Sequence, residues 1–243
     1  MEIKYFDGYS ISSLRAWIVI GNYLIGVFGG YKKLGIYLTS QVQNSKAIVV
    51  SPLIQFTLYC FIIGITVWGM FLLIKDGFYK FEKIYFRDVY STLIVGCFLI
   101  AVILIFVSLL DIKISLNMMN RQGEKNILLT IFTALIYAPI VEELVFRGAL
   151  MNVIKFENKY ISLLIIAVIF SIGHVKAYGF SFSSLFYFLV YVILGFSFGV
   201  SYIDTKSILG AILSHFYWNL MTVFVIIIKL IIPRIIEIYQ FII

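Results

Sequence analysis

Seven apolar runs separated by short polar connections make up most of the chain: Ala16–Tyr31, Ile48–Ile74, Val89–Leu110, Ile127–Ile154, Tyr160–His174, Ser183–Tyr202 and Ser207–Ile232. A membrane helix needs roughly 17–25 mostly apolar residues, and only the first and fifth runs fall short of that. Lipid offers backbone amides no partner, so a spanning segment must close its hydrogen bonds internally. None of the runs alternates as a barrel strand would. The pattern predicts an all-α, polytopic helical membrane protein. The last run is either one long helix or two helices broken near Trp218–Met221 and continuing to Ile243. Seven or eight transmembrane helices are therefore expected.

The connections are Lys32–Ala47, Lys75–Asp88, Asp111–Asn126, Lys155–Lys159, Val175–Phe182 and Ile203–Lys206. Within Lys75–Asp88, the spacing of Phe78, Phe81 and Tyr85 suits a segment lying in the membrane interface, or a loop with aromatic anchors. Two glycine pairs, Gly26/Gly30 and Gly195/Gly199, have the GxxxG spacing that lets helices approach closely. No internal repeat is visible. The N-terminal stretch mixes Glu2 and Asp7 with Lys4 and Arg15, a poor start for a cleaved signal, so the first run reads as a retained span.

Composition narrows the picture without changing it. Of 243 residues, 62% are hydrophobic and 13% charged, against about 45–50% and about 25% in ordinary soluble domains. One membrane domain covers 1–243, with N-terminal spans and loops over 1–126 and a candidate catalytic core over 127–232. The net charge of +7 points to anionic lipid headgroups, since no basic cluster is dense enough for nucleic acid. Lysines and arginines divide evenly between the two sides under seven spans, so orientation does not follow. Cys60 and Cys97 lack partners at metal-ligand spacing and read as small buried hydrophobes.

Chemistry enters with the charges inside the fourth run. Glu142, Glu143 and Arg147 lie in APIVEELVFRGAL, residues 138–150. Ionisable groups within lipid are costly and point to function. Glu143 and Arg147 stand at i,i+4 in the favourable order for a helical ion pair. Glu142 is rotated about 100° from Glu143, so it is left needing a proton, another partner or water. Pro139, one turn earlier, removes an amide donor and frees backbone near Leu135. The only histidines, His174 and His215, fall in later apolar runs, and Asn219 follows His215 at i,i+4. Two neutral donors on one helical face can hold an oxyanion, and they can equally form an interhelical clamp. No GxSxG elbow or HExxH helix occurs. Glu142, His174 and His215 could form a His₂Glu zinc site, or act without metal.

EExxxR at Glu142, Glu143 and Arg147, FxxxH at Phe170 and His174, and HxxxN at His215 and Asn219 follow one another on successive late helices. Together, over about Ala134–Leu220, they resemble the CAAX protease and bacteriocin-processing enzyme family (CPBP, also called Abi), which includes CAAX prenyl protease 2. The resemblance implies an intramembrane endopeptidase. Glu142 and His174 would activate water, His215 and Asn219 would stabilise the oxyanion, and Glu143 with Arg147 would support them. It implies no obligatory cofactor in the metal-free reading favoured here, with zinc as the alternative. The implied partners are a peptide or protein substrate and the lipid bilayer. In a bacterial cell membrane the substrate would be a leader, bacteriocin or pheromone precursor, with self-immunity as a related role. A non-catalytic immunity or scaffold protein, and a proton-coupled transporter, are the readings from other classes. The oligomeric state is not legible.

Overall fold

The computed structural model describes residues 13–43, 50–73, 86–109, 127–154, 156–175 and 181–242. Among them every regular element is helical: α1 (Ser13–Val27), α2 (Gly30–Gln43), α3 (Pro52–Leu73), α4 (Phe86–Leu109), α5 (127–153), α6 (Lys159–Val175), α7 (Phe182–Thr205) and α8 (Ile208–Ile242). By length and composition, two described helices are long and apolar enough to cross a membrane, Ile127–Leu150 in α5 and Ser183–Thr205 in α7. The interfacial segment expected within Lys75–Asp88 falls mostly outside the described residues. Only its end is seen, at the start of α4.

Several boundaries differ from the hydropathy pattern for identifiable reasons. The run Ala16–Tyr31 stops early because Gly29 takes φ +80°, a left-handed turn that glycine enters without steric cost. The expected connection Lys32–Ala47 is largely helix α2. Its polar residues lower the hydropathy of the segment, yet Tyr31, Gly35, Thr39 and Val42 recur at helical spacing. Buried Thr39 Oγ1 donates to Gly35 O at 2.8 Å and accepts from Ser51 N–H at 3.1 Å, tying α2 to the start of α3. The last run is one unbroken 35-residue helix, without a break at Trp218–Met221. Cys60 is exposed on α3 and Cys97 half-buried on α4, so the expectation that both are buried does not hold.

The two glycine pairs part ways. Gly26 and Gly30 lie on either side of the Gly29 turn, in different helices, so they form no common face. Gly195 and Gly199 do. A Cβ built on Gly195 would stand 3.2 Å from Ala167 Cα and from the Phe170 ring, and one on Gly199 would run into Leu163. Side-chain-free positions on α7 thus let α6 approach to backbone contact. Ser171 Oγ on α6 donates to Phe188 O at 2.7 Å, and Ser214 Oγ on α8 donates to Ser201 Oγ at 2.7 Å. These bonds satisfy small polar groups between α6, α7 and α8. Val19 and Ile20 of α1 and Ile62 of α3 share one buried cluster with Val145 and Phe146 of α5, Phe170 of α6 and Phe198 of α7. That cluster surrounds the charged residues of α5.

Candidate active site

Helix α5 carries two π-helical stretches, Thr133–Tyr137 and Leu144–Leu150, on either side of Ala138–Glu143. Pro139 explains the first. In this register Ala138 N–H reaches back five residues to Thr133 O. The next bond of that kind would run from residue 139 to Ala134 O, and proline has no N–H to give. The freed carbonyl is therefore Ala134, one residue before the position expected from an α-helix. Asn219 Nδ2 of α8 donates to it at 2.8 Å. π-Bulges are rare and concentrate at functional sites.

Glu143 is fully buried. His215 Nδ1 donates to its Oε1 at 2.8 Å, and its Oε2 lies 2.6 Å from Arg147 Nη1. Arg147, also fully buried, donates through Nη2 to Gly195 O. Its guanidinium carbon sits 5.6 Å from the Phe170 ring centroid and 5.8 Å from that of Phe198, within cation–π range. Burying a charge pair is favourable only when extra bonds offset its desolvation. Here a histidine, a carbonyl and two aromatic faces surround the pair. The arrangement ties α5 to α6, α7 and α8.

Glu142 faces elsewhere, as its rotation from Glu143 requires. It lines a cavity of about 600 Å³ with Tyr23, Gln55, Tyr59, Ile62 and Tyr137. The walls come from α1, α2 and α3 as well as α5, so the cavity extends beyond the helices that carry the three motifs. The reason is geometric. With Glu143 turned towards α7 and α8, its neighbour must point to the N-terminal side of the bundle. Glu142 Oε2 is buried without a hydrogen-bond partner among the described residues. The nearest opposing group is His174 Nε2 at 3.7 Å, beyond direct hydrogen-bond range.

His174 is oriented by its own helix. Its Nδ1 donates to Phe170 O at 2.8 Å, which leaves the Nε2 lone pair aimed at Glu142. Tyr191 stacks on the imidazole with centroids 4.4 Å apart and planes at 29°, and Phe170 lies 4.2 Å away on another side. His215 is stacked on Phe198 at 4.6 Å and 14°. Both imidazoles are thus held by aromatic planes as well as by hydrogen bonds.

Glu142 and His174 come together, as do Glu143, Arg147 and His215. His215 and Asn219 do not stand as two uncommitted donors, because one is bonded to Glu143 and the other to Ala134 O. Nor do Glu142, His174 and His215 assemble as zinc ligands. His215 is turned to Glu143, and no three His, Cys, Asp or Glu side chains gather as ligands among the described residues. The donor set does not fit that metal site. The sequence reading passed over Tyr191 and Phe198 and took Gly195 only as a packing glycine, although the three fall at i, i+4 and i+7 on one face of α7. That helical spacing was the available signal. It also passed over Gln55, Tyr23 and Tyr59 of the cavity, whose helices carry no motif, and Tyr137 on α5.

Residues 124–221 match the family model Rce1-like, described as type II CAAX prenyl endopeptidase. The resemblance carried by the three motifs is shown over this segment. The family is a membrane-embedded protease family, and the match supports an enzyme of that class. No curated protein and no solved structure matches the chain. The CAAX-endopeptidase-like segment begins just before α5 and ends two residues after Asn219, so it holds all three motifs. Helices α1 to α4 lie outside it, although α1 to α3 help wall the cavity that Glu142 faces.

Proposed function

We propose that this chain is a multi-pass intramembrane endopeptidase that hydrolyses a peptide bond of a peptide or protein precursor, with Glu142 and His174 activating the attacking water. The observation that carries the reading is the facing of Glu142 Oε2 and His174 Nε2 across 3.7 Å beside a 600 Å³ cavity. A carboxylate oxygen and an imidazole lone pair are both acceptors. A water that donates one hydrogen to each satisfies both and keeps a lone pair for attack. As its oxygen bonds to the substrate carbonyl carbon, its proton passes to the Glu142 carboxylate and then to the leaving amine. The second N–H of Asn219 would stabilise the oxyanion, joined by His215 when its Nε2 carries a hydrogen as well as its Nδ1. Glu143 and Arg147 act through His215 and the helix packing, without touching substrate.

Seven or eight helices would cross a bacterial cell membrane in this reading. The substrate would be a bacteriocin or pheromone leader, or a CAAX-like C-terminus. Water activation would be metal-free. A scaffold or immunity role without catalysis suits the Glu143–Arg147–His215 cluster, yet it leaves Glu142 unpaired beside a cavity with nothing to do. Purified protein incubated with candidate leader peptides should cleave them. Glu142→Gln and His174→Ala should each lower turnover by about 10²–10⁴-fold, the usual loss when acid–base catalysis is removed, with unfolding temperature unchanged. Turnover surviving both substitutions would rule the protease reading out. Activity that falls on chelation and returns with stoichiometric zinc would rule out metal-free activation.

A further inference from the structure

The cavity facing Glu142 holds a polar pair that the catalytic reading does not use. Gln55 and Tyr59 stand one turn apart on α3, both lining the cavity. Gln55 Nε2 donates to Tyr59 Oη at 2.9 Å. That bond orients the amide and occupies one lone pair of the phenol. Among the described residues no donor meets Gln55 Oε1. Tyr59 Oη still carries its own hydrogen, because in this bond it only accepts. The pair therefore presents one acceptor and one donor, side by side, to the cavity.

The phenol ring is itself fixed. Tyr59 packs on Tyr137 with centroids 4.6 Å apart and planes at 46°. Tyr137 closes the first π-helical stretch of α5, five residues before Glu142, and lines the same cavity. A continuous contact thus runs from Gln55 through Tyr59 to the helix that carries the unpartnered carboxylate. Leu58, Ile62 and Val50 supply apolar wall between the polar groups. Adjacent acceptor and donor beside Leu58, Ile62 and Val50 match the edge of an extended polypeptide, which alternates N–H and C=O.

We infer that Gln55 and Tyr59 are the main-chain recognition site for the substrate, binding one extended peptide segment through its amide N–H and its carbonyl beside Glu142. The inference rests on the protease reading for what happens next, but not for binding itself. It places substrate recognition in α3, outside the segment that carries the three catalytic motifs. Sequence-independent main-chain bonds would fix register.

The test uses the full chain in detergent and two probes. One is a fluorescein-labelled nonapeptide of alternating leucine and serine, and the other is the same peptide N-methylated at alternate amides. Binding is followed by fluorescence anisotropy. The unmethylated peptide should bind the unaltered chain. Gln55→Leu should weaken it about five- to tenfold, the value of one net hydrogen bond of roughly 1–1.5 kcal/mol. Tyr59→Phe, which keeps the ring on Tyr137, should do the same. N-methylation should cost the unaltered chain a similar factor and cost Gln55→Leu nothing further. Full-strength binding by both α3 variants would overturn the assignment, as would a methylation penalty that persists unchanged in Gln55→Leu. No binding of either peptide to the unaltered chain overturns it too. Peptide binding that depends on Gln55, in a protein that cleaves no leader, would instead refute the protease reading and leave this recognition site standing.

Discussion

At the scale of single residues, the two adjacent glutamates are divided by direction. Glu143 is surrounded by Arg147, His215 and, through Arg147, the Gly195 carbonyl. Among the described residues Glu142 opposes His174, without a bond. Removing one member of a buried charge pair leaves the other uncompensated, at a cost of about 3–5 kcal/mol. Glu143→Ala and Arg147→Ala should therefore lower stability by that order, seen as reduced folded yield and earlier thermal unfolding in detergent. Glu142→Gln should not, since it removes no partner. Equal unfolding temperatures for all three variants would mean that the Glu143 cluster is not what holds α5 against α7 and α8. The pairing of Glu143 with Arg147 was legible from i,i+4 spacing. The bond from Glu143 to His215, 72 positions further on, was not, because no local rule selects which distant imidazole a buried carboxylate will meet.

At the scale of elements, α5 and α7 are specialised in opposite ways. Pro139 forces α5 out of regular α-helix, and the freed Ala134 carbonyl recruits Asn219 from α8. Pro139→Ala would return an N–H to that carbonyl and release Asn219. Stability should hold or rise, since proline costs about 3 kcal/mol inside a helix, while turnover falls because the register around Glu142 changes. Thermal unfolding measured beside cleavage checks both halves, and unchanged turnover would separate the π-helical stretch from function. On α7 the requirement is absence of side chain. Gly195→Val would press a Cβ against Ala167 and Phe170, costing about 1–3 kcal/mol by overpacking and displacing the carbonyl that Arg147 holds. Its unfolding temperature should drop accordingly. The sequence exposed the proline and the GxxxG spacing. Which glycine pair is used depended on chain direction, since Gly29 turns the other pair into two separate helices.

At the scale of the whole molecule, the motif-bearing segment packs against helices that lie outside it. Tyr23 of α1 packs edge-on against Phe146 of α5 at 5.6 Å, and α1 to α3 contribute most of the wall facing Glu142. A chain beginning at Phe86 keeps all three motifs but loses that wall and part of the buried cluster. It should cleave no peptide that the full chain cleaves, and it should elute as aggregate in size-exclusion chromatography. A monodisperse, fully active fragment would show that the first three helices are dispensable.

The sequence by itself determined the helical class and the set of groups that are costly to bury. It also determined the three motifs, because apolar run length, i,i+4 spacing and the scarcity of charge in lipid are properties of order along the chain. The tertiary structure decided what those groups face. It turned Glu143 to His215 and Glu142 to a cavity built by motif-free helices, committed Asn219 to a backbone carbonyl, and made α2 a helix despite its polarity. These outcomes depend on which helix packs beside which. That is set by side-chain-free surfaces such as Gly195 and by burial shared across the bundle, and neither is a property of any single stretch of sequence.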